Sequence, residues 1–349
     1  MMMSDLKANH IRELALSHGF NRIGIIRAEP SPTLEAYERW VAAGMFAGMG
    51  YMARPDRLAR RRDLNVVMPG IRSMIVVAVD YRSLLPEAIL NDPARGRIAT
   101  YAWGKDYHEI IGDRLKILAE QIAAETGSAA RWYTDTGAIL ERSHAQAAGL
   151  GFAGKNTMLI HPRYGSMFFL GEVLLNQEID TYDPPFHSQN MCGTCTRCMR
   201  ACPTNAFPKP FVLDARLCIS YWTIEHKGEI APELRGKFGN WIFGCDICND
   251  VCPFQRFAPI THESAFMPVD VDRAAPPLAS VLALDDEGFK RRYANSPLER
   301  TGVERLVRNA CVAAGNSGDK LLIPLLEKLR TRGSALIQPH AEWALGRLT

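Results

Sequence analysis

The sequence contains no apolar run long enough to cross a bilayer. Its longest apolar stretches, 74–79 and 167–170, fall far short of the roughly 20 residues that a membrane-spanning helix needs. Residues 1–7 also lack an apolar segment followed by a small-residue cleavage site, the arrangement of a secretory signal. We therefore expect a cytoplasmic protein without a membrane partner.

The net charge of the chain is close to zero. The 41 Lys and Arg residues exceed the 38 Asp and Glu residues by 3 in a chain of 349 residues. So small an excess gives no overall attraction to nucleic acid, and any such binding must come from a local patch. No G-x-x-x-x-G-K-[ST] phosphate loop is present, and we expect no nicotinamide or flavin dinucleotide.

The hydrophobic pattern divides the chain into three parts, and the whole is predicted to be α+β. Strands and helices alternate over 1–180, which predicts an α/β domain, and regular periodicity is lost over 181–277. Residues 278–349 have a helical pattern. There 309–315 resemble 340–346 at an offset of 31 residues, as in HEAT-like repeats.

Within the first part, the spacing of apolar residues predicts individual elements. We expect helices over 5–18 and 107–125, and a helix that starts at Asp135 and ends near 148. We expect strands over 22–26, 73–79 and 131–134, and a hairpin that joins 157–160 to 166–175.

Cysteine is the informative residue type. Eight of the nine cysteines lie between residues 192 and 252, and Cys311, on an apolar helix, is expected to be a core residue. In a reducing compartment such a concentration indicates metal binding. Two runs end in Cys-Pro: Cys192-x2-Cys195-x2-Cys198-x3-Cys202-Pro203 and Cys245-x2-Cys248-x3-Cys252-Pro253.

The first run has the spacing of bacterial ferredoxins, in which the last cysteine binds the other cluster. The second run has Ile242 in place of its first cysteine, and Cys218 is the remaining candidate to replace it. This rule assigns cluster one to Cys192, Cys195, Cys198 and Cys252, and cluster two to Cys202, Cys218, Cys245 and Cys248. Two zinc sites are the alternative, but zinc prefers well-separated C-x2-C pairs, so the spacing favours two [4Fe–4S] clusters.

Four further segments accompany the cysteine runs. They are WGKDYH at 103–108, DTGAILER at 135–142, GKNT at 154–157 and CISYWTIEHKG at 218–228. With the cysteines, these segments resemble the epoxyqueuosine reductase family over about residues 5–348. Ala138 and Trp222 stand where other residues are expected in that family, which leaves the proposed roles unchanged.

The resemblance implies a cobalamin-dependent oxidoreductase that reduces epoxyqueuosine to queuosine at the wobble position of tRNA, the last step of queuosine formation. It implies a cobalamin-binding domain over 1–180, a ferredoxin-like domain with two [4Fe–4S] clusters over 181–277 and HEAT-like helices over 278–349. Electrons from an unidentified low-potential donor would pass through the clusters to cobalamin. The expected partners are this donor and tRNA, and we expect a monomer.

The resemblance also implies roles for individual residues. Asp135 would donate a proton to the opened epoxide, with a plain helix cap as the alternative. His108 lies in Asp106-x-His108-x-x-Ile111, which lacks the glycine of the cobalt-ligating D-x-H-x-x-G motif, so no axial histidine is expected. Cobalamin contacts are predicted at Arg57, Asp135, Lys155, Asn156, Thr157, Ser220 and Asp246, and tRNA contacts at Trp222, His226 and Lys227.

Simpler explanations exist for some of these residues. Residues 155–157 fit ordinary turn chemistry, Trp222 fits packing, and the arginines of 54–62 fit either a solvated helix face or contacts with an RNA backbone. Two other functions are open as well. One is cobalamin-dependent reduction of a small molecule, as in reductive dehalogenases, and the other is electron carriage by two clusters without a corrin.

Overall fold

The computed structural model describes residues 6–186 and 191–349, and the predicted α+β class is confirmed there. The strands are β1 (Arg22–Arg27), β2 (Ser73–Asp80), β3 (Arg97–Ile98), β4 (Ala130–Tyr133), β5 (Phe152–Ala153), β6 (Leu159–Ile160), β7 (Phe168–Leu175) and β8 (Trp241–Phe243). The helices are α1 (Ala8–Ser17), α2 (Leu34–Ala42), α3 (Pro55–Arg62), α4 (Leu64–Val67), α5 (Glu87–Leu90), α6 (Tyr107–Thr126), α7 (Glu141–Ala147), α8 (Arg197–Ala201), α9 (Pro232–Arg235), α10 (Ile247–Asp250), α11 (Val271–Ala274), α12 (Leu278–Leu282), α13 (Asp286–Tyr293), α14 (Gly302–Ser317), α15 (Ile323–Arg332) and α16 (Gln338–Leu348). No helix among these is long and apolar enough to span a bilayer.

The largest sheet is antiparallel, with the order β1-β2-β7-β4. Successive side chains of a strand face opposite sides of the sheet, so the two faces of the buried strand β2 pack into two different apolar clusters. Ile75 and Val77 pack with α1 and α6, whereas Met74 and Val76 pack with α4 and α7. Because β2 and β4 both run antiparallel to β7, their C-terminal ends share one sheet edge, and Asp135 follows β4 at this edge.

Two local predictions are wrong. The segment 157–160 does not pair with 166–175, because β6 pairs with β5 through a turn over 154–157, and β7 pairs with β2 and β4. No helix starts at Asp135, since α7 begins only at Glu141. The glycines of 149–154 have G-x-G-x-x-G spacing, but they lead from α7 into β5, whereas a dinucleotide fingerprint leads from a strand into a helix.

The C-terminal helices share their core with residues from the first part of the chain. Parallel pairing of β3 with β8 places Ile98 and Trp103 in the same apolar cluster as α12, α14 and α16. The similar stretches 309–315 and 340–346 lie on α14 and α16, which pack against each other. They approach so closely at Gly315 that a Cβ there would lie 2.6 Å from the Trp343 ring. Cys311 is buried in this core, as predicted.

Candidate functional site

Four of the cysteines surround one cavity. Cys192, Cys195, Cys198 and Cys252 line a space of about 180 Å³. Burial, followed by repulsion from the other three sulfurs, raises the pKa of Cys198, as expected where thiols are close together. These are the four cysteines that the ferredoxin rule assigns to cluster one.

The other four cysteines form a second, adjoining group. Burial raises the pKa of Cys248, and the nearby sulfurs of Cys218, Cys198 and Cys202 raise it further. Burial also raises the pKa of Cys245, and the nearby sulfurs of Cys248 and Cys218 raise it further. The residues that follow three of these cysteines are buried: Ile219, Asp246 and Asn249.

Neither group is arranged around a single ion. Across 6–186 and 191–349, no three His, Cys, Asp or Glu side chains are placed to hold one metal ion. Zinc would need its sulfurs about 2.3 Å from one point, whereas a cubane keeps its cysteine ligands farther apart. The ground for preferring clusters to zinc is the spacing of the cysteines in the sequence.

Lys155 and Asn156 fasten the cysteine loops to the first part of the chain. Lys155 Nζ donates hydrogen bonds to the carbonyl oxygens of Gly193, at 2.7 Å, and of Cys195, at 2.9 Å. Asn156 Nδ2 donates to the carbonyl of Cys248 at 3.3 Å. Both side chains are buried, so these two predicted corrin contacts are already bonded within the protein.

Asp135 occupies a strained turn rather than a helix cap. Its φ is +56°, a conformation that non-glycine residues rarely adopt and that occurs often at functional sites. Tyr107 Oη donates to Asp135 Oδ2 at 2.7 Å, and the Asp135 backbone N–H donates to Glu141 Oε1 at 2.6 Å. His108 Nε2 lies 3.4 Å from the same Oδ2 atom.

His108 lies between two carboxylates. Its Nδ1 is 2.7 Å from Asp106 Oδ1, on the side opposite Asp135. Burial alone would lower the pKa of His108, but the hydrogen bond with Asp106 and the close contact with the Asp135 carboxylate outweigh burial and raise this pKa to about 9. The contact with His108, followed by the hydrogen bond from Tyr107, in turn lowers the pKa of Asp135. At neutral pH the pair is an imidazolium beside a carboxylate, a geometry that sequence reasoning missed.

Charged groups in the neighbourhood of Asp135 act on Tyr51, which is 41% exposed. Partial burial and the negative charges of Glu225 and Asp135 raise the pKa of Tyr51, and the positive charges of Arg300 and Arg57 oppose this increase. On β7, burial raises the pKa of the fully buried Glu172 well above its usual value.

Three other residues predicted to contact the cofactor differ in whether their side chains are already bonded within the protein. The Asp246 carboxylate is buried and accepts a hydrogen bond from the Thr100 backbone N–H at 2.7 Å. Ser220 and Thr157 are half-buried, and within the described parts of the chain their hydroxyls make no hydrogen bond to the loop of a cluster ligand. Thr157 adopts a φ of +65°.

The predicted RNA contacts lie on and after a π-helix, Tyr221–Glu225. The Trp222 and His226 rings meet edge to face with centroids 4.3 Å apart, and Trp222 Nε1 donates to the Arg216 carbonyl at 2.8 Å. Both rings are half-buried and Lys227 is exposed. In the arginine-rich segment, Arg61 is buried against the Tyr37 ring, so it is no free phosphate ligand.

Arg308 of α14 holds this π-helix in place. It is fully buried and donates to the carbonyl oxygens of Trp222, His226 and Gly228 at 2.6–2.8 Å. The adjacent Asn309 bonds the carbonyls of Thr223 and Ile242. The only sequence signal for this role is a charged residue in the middle of an apolar helical stretch.

Two groups of four cysteines beside an imidazolium–carboxylate pair define an iron–sulfur oxidoreductase. The family model "4Fe-4S double cluster binding domain" matches residues 191–255, and the model "Epoxyqueuosine reductase QueG, DUF1730" matches residues 61–136. The epoxyqueuosine reductase of Pseudomonas aeruginosa is 40% identical over 97% of this chain and 94% of its own. That of Escherichia coli is 35% identical over 97% and 89%. The chain belongs to the epoxyqueuosine reductase family, as the resemblance implied.

Solved structures of the family share the fold. An epoxyqueuosine reductase crystallised with an epoxyqueuosine-modified tRNA-Tyr stem loop is 30% identical, with a TM-score of 0.90 over 97% of this chain and 89% of the other. The enzyme from Streptococcus thermophilus is 32% identical, with a TM-score of 0.86 over 97% and 90%. The 4Fe–4S double cluster domain of this chain therefore lies within the same overall architecture as in these two enzymes.

Replacing Cys218 by alanine tests the grouping of the cysteines. The second group loses a sulfur, whereas the first keeps its four, so the iron content of anaerobically prepared protein is expected to fall from about eight to about four per chain. Iron analysis and the spectrum of the remaining cluster measure this. Cys311→Ala is the matched control and should keep all the iron; an unchanged iron content in Cys218→Ala contradicts the grouping.

Replacing Arg308 by methionine tests the support of the π-helix. Three partly buried carbonyls lose their donor, each at a cost of about 1 kcal/mol, so the thermal unfolding midpoint is expected to fall by at least about 4 °C. Scanning calorimetry measures the midpoint. Arg332→Met, at an exposed position, should leave it within about 1 °C. Equal midpoints for the two variants would refute the role of Arg308.

Proposed function

We propose that this protein reduces the epoxide of epoxyqueuosine to the alkene of queuosine at the wobble position of tRNA. Membership of the family supports the reaction, and the observation that carries it is the pairing of Asp135 with His108 next to two cysteine groups. The reaction takes up two electrons and two protons and releases water. A protein that performs it needs an electron path and an acid, and the two cysteine groups and the Asp135–His108 pair are suited to supply them.

The proposed cofactors are two [4Fe–4S] clusters and cobalamin. The two sets of four thiols fit the clusters. For the corrin, whose amide side chains need hydrogen-bonding partners, we propose the side chains of Arg57, Asp135, Thr157 and Ser220. When bound, these cofactors supply the two electrons. Lys155, Asn156 and Asp246 contribute instead by fixing the loops around the cofactor site.

Asp135 and His108 together hold the proton for the opened epoxide. The carboxylate alone has a lowered pKa and is ionised at neutral pH, so it is a poor acid by itself. The imidazolium of His108 holds a proton at Nε2, 3.4 Å from Asp135 Oδ2, and can pass it to the carboxyl as the oxygen leaves. Tyr107 keeps Oδ2 oriented, and Asp106 keeps the imidazole ring oriented.

We propose the remaining features on the same basis. The tRNA anticodon loop would contact Trp222, His226 and Lys227, since exposed bases stack on aromatic side chains. The divisions at 180 and 277, the HEAT-like character of α14 to α16, the monomeric state and a cytoplasmic location stay predictions. An external electron donor is required, because the chain has no nucleotide fingerprint in the strand-to-helix setting that would bind a hydride carrier.

Nucleoside analysis of tRNA from cells that lack this protein tests the function. Epoxyqueuosine should accumulate, and the wild-type gene should restore queuosine. Asp135→Asn should not restore it, with turnover at least about 100-fold lower, while iron content and tRNA binding stay unchanged. Queuosine at normal levels in the deletion strain would contradict the proposed function. Normal turnover in Asp135→Asn would contradict only the proposed role of Asp135.

The pH dependence of turnover tests the shared proton. Because the pKa of His108 is raised to about 9, the proton is present at neutral pH and is lost as the pH rises through about 9. Single-turnover rates with dithionite should therefore fall above that pH. His108→Gln, which cannot hold the charge, should be slow at neutral pH and lack this decline. A decline at the same pH in the variant would assign it to another group.

A further inference from the structure

The cysteine group of cluster one adjoins a basic groove. This groove, of about 890 Å³, has Cys252 in its wall together with Arg197, Arg200 and Arg256. All three arginines are exposed, and no carboxylate of the described residues forms an ion pair with them. Arg97 in the same groove, by contrast, is paired with Asp250 at 3.4 Å.

Apolar side chains stand beside these arginines. Leu84 lines the groove and is 56% exposed, and Phe257, 46% exposed, lies under the Arg256 guanidinium at 4.5 Å. Arg82 Nη1 donates to the Ala258 carbonyl at 2.7 Å, which holds these two segments together. An apolar centre with an unpaired charged rim is typical of surfaces that form brief protein–protein contacts.

The positions of the two cysteine groups set the direction of electron flow. Asp246, next to Cys245 of the second group, accepts a hydrogen bond from the Thr100 backbone N–H at 2.7 Å. The adjacent Tyr101 ring lies 6.2 Å from the ring of Tyr107, whose hydroxyl donates to Asp135, so the second group is near the acid pocket. The first group has exposed neighbours, among them Arg197. Electrons from outside therefore reach cluster one first and cluster two next.

We propose that Arg197, Arg200 and Arg256, around Leu84 and Phe257, dock a small acidic protein that carries a low-potential one-electron centre. The inference rests on the proposed function. At each docking the donor is oxidised by one electron and cluster one is reduced by one, so a turnover needs two encounters. The tRNA occupies the pocket at Asp135, and a donor at cluster one does not compete with it.

Charge reversal tests the docking surface in the holoenzyme. The variant R197E/R200E/R256E is compared with K320E/K328E/R332E, which changes the net charge equally at exposed positions on the C-terminal helices. Stopped-flow absorbance follows cluster reduction by a reduced plant-type [2Fe–2S] ferredoxin at several salt concentrations. We expect an approximately tenfold lower second-order rate constant and a weaker salt dependence for the first variant only. Dithionite-driven turnover should be unchanged in both.

The outcomes separate the docking surface from the proposed function. An unchanged ferredoxin rate in R197E/R200E/R256E overturns the proposal. If the variant loses tRNA or cobalamin binding while the ferredoxin rate is unchanged, the proposal is overturned as well, because the surface then binds RNA or the corrin. Should the triple variant lose iron, R200E/R256E is measured instead, since it leaves Arg197 beside the first cysteine group unchanged; a two- to threefold decrease is expected. Absence of dithionite-driven epoxyqueuosine reduction in the wild type contradicts the function instead.

Discussion

The position of the cysteine loops depends on one buried cation. Lys155 is 9% exposed and donates to two carbonyl oxygens of the loop that carries Cys192 and Cys195. A buried ammonium is costly unless it is bonded and near negative charge. A cubane held by four thiolates is net negative, so the same cation that fixes the loop also offsets the charge of the cluster beside it. The conformation of the loop and the charge balance of the cluster thus both depend on Lys155.

The assignment of the iron–sulfur ligands stays a prediction, but the structure brings the cysteines together in the two groups that their spacing indicates. Spacing is informative here because metal coordination restricts it locally. Thiols separated by two residues can reach one cubane only from a tight loop, and the cysteine that follows after three residues reaches the other cluster. The chain order of the cysteines therefore already indicated their grouping. The buried strand β2 was equally clear, because burial on both faces makes its apolar run continuous. In both cases the physical requirement acts within a few residues.

Features that depend on distant partners could not be predicted in this way. The hairpin over 157–175 was wrong because alternation marks a strand but does not choose its neighbour. The helix at Asp135 was wrong because Tyr107 and Glu141 hold that residue in a left-handed turn. The support of the π-helix by Arg308 spans about 80 residues of sequence, and the roles of Lys155 and Asn156 also depend on long-range bonds.

The shared core of Trp103 and the C-terminal helices limits how this architecture can change in evolution. Trp103 belongs to the segment that leads to Tyr107 and His108, yet it is buried among residues of α12, α14 and α16. A relative that lost those helices would have to refill the space behind the segment that carries Tyr107 and His108. The helical end is thus not an exchangeable module, and its insertions and deletions should fall in its loops and outer surface.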